Sequence, residues 1–351
     1  MNYIDELALY LRPPAQGVYA VSTGKKEIDI FAGEYLGEKI LDWKNQLRKI
    51  KYHDVALLAI PSDTGAGILR GASRGPEGIR RAMGHAPCLD LGDIITVPHL
   101  LYDEMLSNYQ IKKVRNFLYP NINKRLPVSP MSILERVYQL VIKINPKIKI
   151  HLLGGDHTCS WFAFKNIYNQ ESDVGILHFD AHTDLMLNRM GIEYCFATWA
   201  YHANELIGRR NKMVQVGIRA SSKNKHYFEN NFQVKQFWAD EVLQNSKEDT
   251  ARKIIDHFNE NKIQKIYISN DLDGTDPFCG GAACGTPEPN GLSEGHINTI
   301  LDFVKSSNLQ VIGADMVELA PNLSNDEMQK YESCEVAKRY TLRQLDLLKG
   351  L

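Results

Sequence analysis

The stretch Val174-Gly175-Ile176-Leu177-His178-Phe179-Asp180-Ala181-His182-Thr183-Asp184 decides the fold. Its first six residues form an apolar run too short for a helix, and the run stops abruptly on Asp180, His182 and Asp184. A short apolar run bounded by polar residues reads as a buried strand. The same grammar recurs at Val55–Ile60, Ile148–Leu153, Met213–Ile218, Lys265–Ser269 and Val311–Val317. Between these runs lie amphipathic stretches, Pro76–Met83, Pro130–Ile144, Trp161–Tyr168, Lys247–Asn259 and Glu294–Lys305, that read as helices. Alternation of this kind predicts an α/β fold with a mostly parallel sheet and helices on both faces. A further helical pattern is expected around Gly37–Lys49, and the polar stretch 106–127 reads as an excursion or cap rather than part of the core.

The composition suits such a fold. The chain has 351 residues, 44% hydrophobic and 24% charged, enough for a large core. Lys plus Arg is 41 and Asp plus Glu is 42, so the formal net charge is −1, and no basic excess favours a nucleic-acid backbone. No apolar stretch approaches the ~20 residues of a membrane span, and the start carries no basic segment followed by an apolar one. The expected location is cytoplasmic. Six cysteines, at 88, 159, 195, 279, 284 and 334, are too sparse for a disulfide scaffold and form no Cys-x-x-Cys, so they read as reduced thiols.

In open parallel sheets, ligand sites lie at the carboxyl ends of the strands. Gly154-Gly155-Asp156-His157 follows one run, Asp180 to Asp184 a second, Asp271-Leu272-Asp273 a third, and Glu318 a fourth. Each motif taken alone is compatible with turn chemistry. Together, four Asp and two His on one sheet edge would repel one another and resist burial unless cations neutralised them. The mixture is too hard for a thiolate zinc site and too rich in nitrogen for calcium. It suits Mn²⁺, with Fe, Co or Zn as substitutes, and the number of carboxylates suits two ions with shared ligands. Water held between two such ions is acidified into a nucleophile, which points to metal-assisted hydrolysis.

Gly154–His157, Phe179–Asp184 and the run Ser269-Asn270-Asp271-Leu272-Asp273-Gly274-Thr275-Asp276-Pro277 together resemble the ureohydrolases, the superfamily of arginase, agmatinase and formimidoylglutamase. Supporting matches are Arg74-Gly75-Pro76 with Ile79-Arg80, Asp90-Leu91-Gly92-Asp93, Gly217-Ile218-Arg219, Gly285–Pro289 and Gly313–Glu318. The resemblance runs from about residue 54 to the C-terminus. It leaves uncovered the first ~50 residues, expected as an N-terminal extension (1–50) packed on a catalytic domain (51–351), and the 106–127 excursion.

The resemblance implies a three-layer α/β/α, arginase-like fold with two Mn²⁺ per chain. His157, Asp180, Asp184 and Asp271 would hold one ion, and His182, Asp180, Asp271 and Asp273 the other. Glu318 would receive a guanidinium or amidine group. It further implies a homo-oligomer, a trimer or hexamer, acting on a cationic guanidino or amidino small molecule or an arginine side chain. Charge agrees: with two divalent ions, a bridging hydroxide and Glu318 counted, the pocket carries about −2 and attracts a planar cation. The expected activity is agmatinase-like, releasing urea and an amine. Formimidoylglutamase and arginine-modifying hydrolase are alternatives within the class, and a metal-binding but silent scaffold is the alternative outside it.

One departure stands out. Where arginases and agmatinases carry a His, often in His-Gly-Thr, this chain reads Tyr194-Cys195-Phe196-Ala197-Thr198-Trp199. Three groups could replace the absent imidazole as acid: Asp184, the thiol of Cys195, and His202. Asp184 is favoured, as relay for the proton of metal-bound solvent, which is always present at the reacting carbon and needs no new side chain. His151 and His178 read as satisfied core imidazoles or as supports to the site rather than as ligands. Gly65-Ala66-Gly67, with Asp90 downstream, imitates a dinucleotide fingerprint, but Pro61 intervenes and the helix starts near Pro76, too late to meet a pyrophosphate.

Overall fold

A computed structural model describes residues 2–18, 45–171 and 173–351. Its strands are β1 (Leu11–Arg12), β2 (Val55–Ala59), β3 (Leu89–Ile94), β4 (Lys149–Leu153), β5 (Val174–Phe179), β6 (Met213–Ile218), β7 (Lys235–Trp238), β8 (Lys265–Asp271) and β9 (Gln310–Val317). They form one sheet in the order β1-β3-β2-β4-β9-β8-β5-β6-β7. Neighbours run parallel throughout, except that β1 lies antiparallel on β3.

The helices are α1 (Tyr3–Tyr10), α2 (Gly75–Met83), α3 (Asn108–Leu118), α4 (Pro130–Ile144), α5 (Thr158–Tyr168), α6 (Trp199–Leu206), α7 (Lys225–Phe232), α8 (Ala239–Gln244), α9 (Lys247–Glu260), α10 (Glu294–Ser306) and α11 (Glu327–Lys349). Because successive strand residues point to opposite faces, β2 feeds two cores. Ala56, Leu58 and Ile60 join the core under α1, α4, α5 and α6. Val55, Leu57 and Ala59 join the core under α2, α9, α10 and α11. The result is the three-layer α/β/α arrangement, and it explains why the strands are apolar on both faces.

The six expected strands are present, and β8 runs two residues beyond the expected Ser269, so that Asp271 closes it. Two features of the fold escape the apolar pattern. Charged Asp90 and Asp93 interrupt β3; both are gripped by Arg80 of α2, with Nε 2.9 Å and Nη2 2.8 Å from Asp90 and Nη1 on Asp93. Helix α11 carries polar Ser333, Thr341 and Gln344 on the same buried face as Val336, Ala337, Tyr340, Leu345 and Leu348, which blurs its amphipathic stripe.

Within 106–127, α3 opens on a Ser107/Gln110 capping box and buries none of its residues. Of the pattern at 37–49, residues 45–47 are helical and lead into a 3₁₀ turn, Arg48–Tyr52. Its earlier part lies outside the described residues.

Candidate metal centre

The four strands at the middle of the sheet, β4, β9, β8 and β5, come from distant parts of the sequence yet end side by side. Their carboxyl ends carry His157, Glu318, Asp271 with Asp273, and Asp180 to Asp184. His157 is fully buried, and three carboxylate oxygens converge on its Nδ1: Asp271 at 3.0 Å, Asp184 at 3.2 Å and Asp180 at 3.3 Å. One N–H cannot serve three acceptors well. Neighbouring donors around an octahedral ion with bonds of about 2.1 Å lie about 3 Å apart, and the His157 set has that spacing.

Beside it, His182 Nδ1 lies 2.9 Å from Asp273 Oδ2 and 3.5 Å from Asp180 Oδ1. Among the described residues, donors close enough to share an ion fall into two groups, one of His157, His178, Asp180 and Asp184, the other of Asp180, His182 and Asp273. Asp180 belongs to both. Asp271 also touches both sides, through His157 and through Oδ1, which accepts the Asp273 backbone N–H at 2.9 Å.

Hydrogen bonds fix which nitrogen of each imidazole is free. An indole nitrogen only donates. Trp238 Nε1 therefore donates to Gln236 Oε1 (2.8 Å), Gln236 Nε2 to Gln215 Oε1 (2.8 Å), and Gln215 Nε2 to His178 Nδ1 (3.0 Å). His178 Nε2 then carries the proton and donates to Asp180 Oδ2 at 2.7 Å. His178 is thus a support for Asp180 rather than a donor to an ion.

On the other side, Asp315 accepts from Tyr267 Oη (2.6 Å), Ser269 Oγ (2.8 Å) and the Asn270 backbone (3.2 Å). With its only proton on Asp315, Ser269 Oγ accepts from His157 Nε2 at 2.9 Å. That leaves His157 Nδ1 facing the carboxylates, the arrangement by which metal-binding imidazoles are oriented. Trp199 stacks on the same ring at 4.7 Å. Trp199, Gln215 and Asp315 are supports the sequence does not single out; for Gln215 and Asp315 the available signal is a polar residue inside an otherwise apolar buried strand, whereas Trp199 on α6 carries none.

Burial alone would lower the His157 pKa, but its bonds to Asp180, Asp184 and Asp271 outweigh that and hold it well above the imidazole range. Burial opposes protonation of His182 too, yet Asp273 and Asp180 push it up to about 12. Asp271 is driven well above the carboxylate range by burial and then by Asp273 and Asp180. Asp180 goes the other way, because His178 and His157 overcome its burial. Four crowded carboxylates thus raise the pKa of the imidazoles and, with burial, of Asp271 and Asp184, the condition a divalent cation would relieve. The residues fit a divalent metal ion.

A narrow cavity opens over this cluster, lined by His182, Asp184, Asp271, Asp273, Thr286 and Glu318 among others. Glu318 and Asp184 both hold left-handed backbone, φ 63° and 49°, rare for non-glycine residues and frequent at functional sites. Glu318 ties two strand ends together: its N–H donates to Gly155 O (2.8 Å) and its Oε1 accepts the His157 N–H (2.8 Å). Burial and then the Asp156 charge raise its pKa well above the ordinary range.

Cys195 and His202 lie elsewhere. Cys195 lines an adjoining groove, not the narrow cavity, and burial pushes its thiol up. His202 sits on α6, one ring nitrogen 2.9 Å from Glu193 O, its ring against Tyr194 and Trp161. Phe196 lines both cavity and groove. Gly65 and Gly67 belong to a loop docked on the site, with Gly65 N donating to Asp156 Oδ2 at 2.9 Å. Residue 65 admits no side chain, since a Cβ would meet Thr158 Oγ1 at 2.1 Å. Gly65 thus serves close packing, and α2 starts only at Gly75. Arg219 clamps the far rim through the carbonyls of Asp273 (2.6 Å), Glu288 (2.7 Å) and Pro289 (3.0 Å).

A three-layer α/β/α fold with a buried His/Asp cluster at the carboxyl edge of its central strands defines the ureohydrolase class. The arginase-family model matches residues 53–342, and the chain belongs to that family. It is similar to the agmatinase of Bacillus subtilis (strain 168), 29% identical over 217 residues, which are 61% of this chain and 70% of that one. It is also similar to the agmatinase of Bacillus anthracis, 32% identical over 190 residues, 54% of this chain and 61% of that one. Among solved structures, proclavaminate amidino hydrolase from Streptomyces clavuligerus superposes with a TM-score of 0.67 at 23% identity, covering 85% of this chain and 92% of the other. No helix among the described residues is long and apolar enough to cross a membrane.

Proposed function

We propose that this chain is a binuclear metal hydrolase cleaving a carbon–nitrogen bond of a guanidino or amidino group, agmatinase-like in releasing urea and an amine. The observation that carries this reading is the convergence of Asp180, Asp184 and Asp271 on His157 Nδ1 beside the His182–Asp273 pair. Mn²⁺ is the favoured metal. His157, Asp180, Asp184 and Asp271 would hold one ion and His182, Asp180, Asp271 and Asp273 the other. When bound, the pair supplies an acidified water and positive charge for a tetrahedral intermediate.

The protein's own groups do the remainder. Glu318, on the cavity wall, offers a carboxylate to pair with the planar cation and hold its carbon over the ligand cluster. Asp184 Oδ, also on that wall, carries a proton towards the departing amine. Phe196 keeps bulk water from that side. The family names of similar agmatinases support the substrate class, and homo-oligomeric assembly, as trimer or hexamer, belongs to the same proposal.

The test is metal analysis followed by a panel of guanidino and formimino compounds with Mn²⁺, recording urea, ammonia and formamide separately. Fewer than two ions per chain at saturation overturns the binuclear reading. One observation favours a second reading: among the described residues lining the narrow cavity, the only imidazole is His182, a metal-ligand candidate itself. A fully metallated protein inert to the whole panel would establish the silent scaffold instead.

A further inference from the structure

The narrow cavity and the groove outside it carry opposite charge. The cavity is walled by carboxylates, Asp184, Asp271, Asp273 and Glu318. The groove, with a volume of about 440 Å³, has no Asp or Glu among its described lining residues and instead presents Arg70, Arg189 and His99 beside apolar Met105, Leu106 and Met190. The two spaces are continuous, sharing Ala66, Gly67, Ile68 and Phe196.

Phe196 forms the shared wall, and the Arg189 guanidinium lies over its ring with Cζ 5.0 Å from the centroid. The backbone of Arg189 is pinned by reciprocal 2.9 Å bonds with Ile192. The opposite loop packs on this pair at Gly67, where a Cβ would stand in ordinary contact, 3.4 Å from the Phe196 ring and 3.9 Å from Arg189 Nη1. Arg70 is steadied by its own bond to Thr64 O at 3.2 Å. Among the described residues no carboxylate forms an ion pair with either arginine, and both line the groove.

A ligand spanning both spaces meets carboxylates at one end and guanidinium groups at the other. We infer that the substrate is bipolar, an ω-guanidino acid whose guanidinium enters the cavity against Glu318 and whose carboxylate is received in the groove by Arg189 and Arg70. This rests on the hydrolase reading above and fixes the tail it left open. An ω-guanidino amine would bring an ammonium against two arginines, an unfavourable like-charge contact. A carboxylate gains charge-assisted, potentially bidentate pairing there.

The decisive experiment compares 4-guanidinobutyrate, agmatine and butylguanidine as substrates of the Mn²⁺-loaded protein. These share a four-carbon chain and differ at the far end in carrying a carboxylate, an ammonium or a methyl group. Expected is a kcat/KM for 4-guanidinobutyrate at least tenfold above butylguanidine and at least a hundredfold above agmatine, the preference shrinking as salt screens it. Arg189→Glu should collapse the carboxylate-over-ammonium ratio at least tenfold, mainly through KM, and Arg70→Gln should lower it less. Agmatine turned over as well as 4-guanidinobutyrate by the unaltered protein overturns the inference. If no compound is hydrolysed, the hydrolase reading has failed, and the tail is judged separately by calorimetric binding of the same three compounds. Tighter binding of the carboxylate, weakened by Arg189→Glu, upholds the bipolar site; equal binding of carboxylate and ammonium overturns it.

Discussion

Within β3, Asp90 and Asp93 close on the guanidinium of Arg80. At the ends of β5 and β8, Asp180, Asp184, Asp271 and Asp273 close on imidazoles and a few neutral donors, with no Arg or Lys ion pair among the described residues. Both clusters are largely buried and both belong to one sheet. The first contains its own permanent cation, and backbone N–H groups of Gly92 (2.8 Å) and Gly17 (3.1 Å) complete it. The second has four carboxylates and must borrow protons to approach neutrality. A structural cluster is therefore finished by the chain, whereas a ligand site is left in deficit for something else to fill.

The largest expected effect attacks the deficit. Asp180→Asn should remove charge shared by both donor groups and cost more than the roughly 10–100-fold in metal affinity typical of a supporting residue, with hydrolysis lost alongside. Asp271→Asn should behave alike. Metal content by mass spectrometry and turnover are the measurements, and either variant retaining both at full level would remove the shared-ligand role. Arg80→Met should leave metal binding per folded chain intact but destabilise the fold by about 3–5 kcal/mol, because it strands two buried carboxylates. Denaturant unfolding checks it; a variant that loses metal yet keeps its stability would erase the distinction between the clusters.

A third kind of buried ionisable group resolves the problem by staying neutral. His151 is fully buried, bonded through Nε2 to Gln344 Oε1 at 2.7 Å, and burial lowers its pKa to about 4. The unfolded chain binds this proton first, so stability falls with decreasing pH from about 6.5 and the loss is complete below about 4. At 1.36 kcal/mol per unit the whole contribution is about 3 kcal/mol. His151→Gln should flatten the acid limb of unfolding free energy against pH over that window. Parallel curves for the two proteins would refute the assignment.

Glu318→Gln probes the deficit from the substrate side. It should keep metal content and lower kcat/KM by roughly ten- to a hundredfold, about 1.5–3 kcal/mol for a bond to a charged group. Unchanged kinetics on the best substrate would take Glu318 out of the binding role.

The sequence makes the deficit legible and hides much of what supports it. His157, Asp180, His182, Asp184, Asp271, Asp273 and Glu318 follow apolar runs, and strand ends in parallel sheets converge, so their approach follows from local pattern and topology. The Arg80 staple is harder to read, since Asp90 and Asp93 look like loop residues until Arg80 is placed across from them. Helix α11 is masked by Ser333, Thr341 and Gln344, polar residues on its buried face. Gln344 is there because His151 needs an acceptor, a reason visible only across 193 residues of chain. The opposed charge of the groove depends on two loops meeting, and no periodicity encodes that.

The smallest effect is the most specific. Gln215 on β6 stands between His178 and the sheet edge, its Nε2 donating both to His178 Nδ1 (3.0 Å) and to the Thr183 carbonyl (2.7 Å). A carbonyl oxygen only accepts, so the Thr183 bond fixes the Gln215 amide by itself, and the Trp238 indole at the edge of the sheet fixes only Gln236. Gln215→Leu removes the donor to His178 Nδ1; His178 can then carry its proton on either nitrogen, and Nε2 donates to Asp180 in only part of the population. Metal affinity should fall by about tenfold, the low end for supporting residues. Trp238→Phe, which leaves both Gln215 bonds in place, should change metal affinity little. Nitrogen-15 chemical shifts of His178 read the tautomer directly: a single tautomer in the natural protein and in Trp238→Phe should become a mixture in Gln215→Leu. An unmixed tautomer together with unchanged metal affinity in Gln215→Leu would show that Asp180 is oriented without help from Gln215.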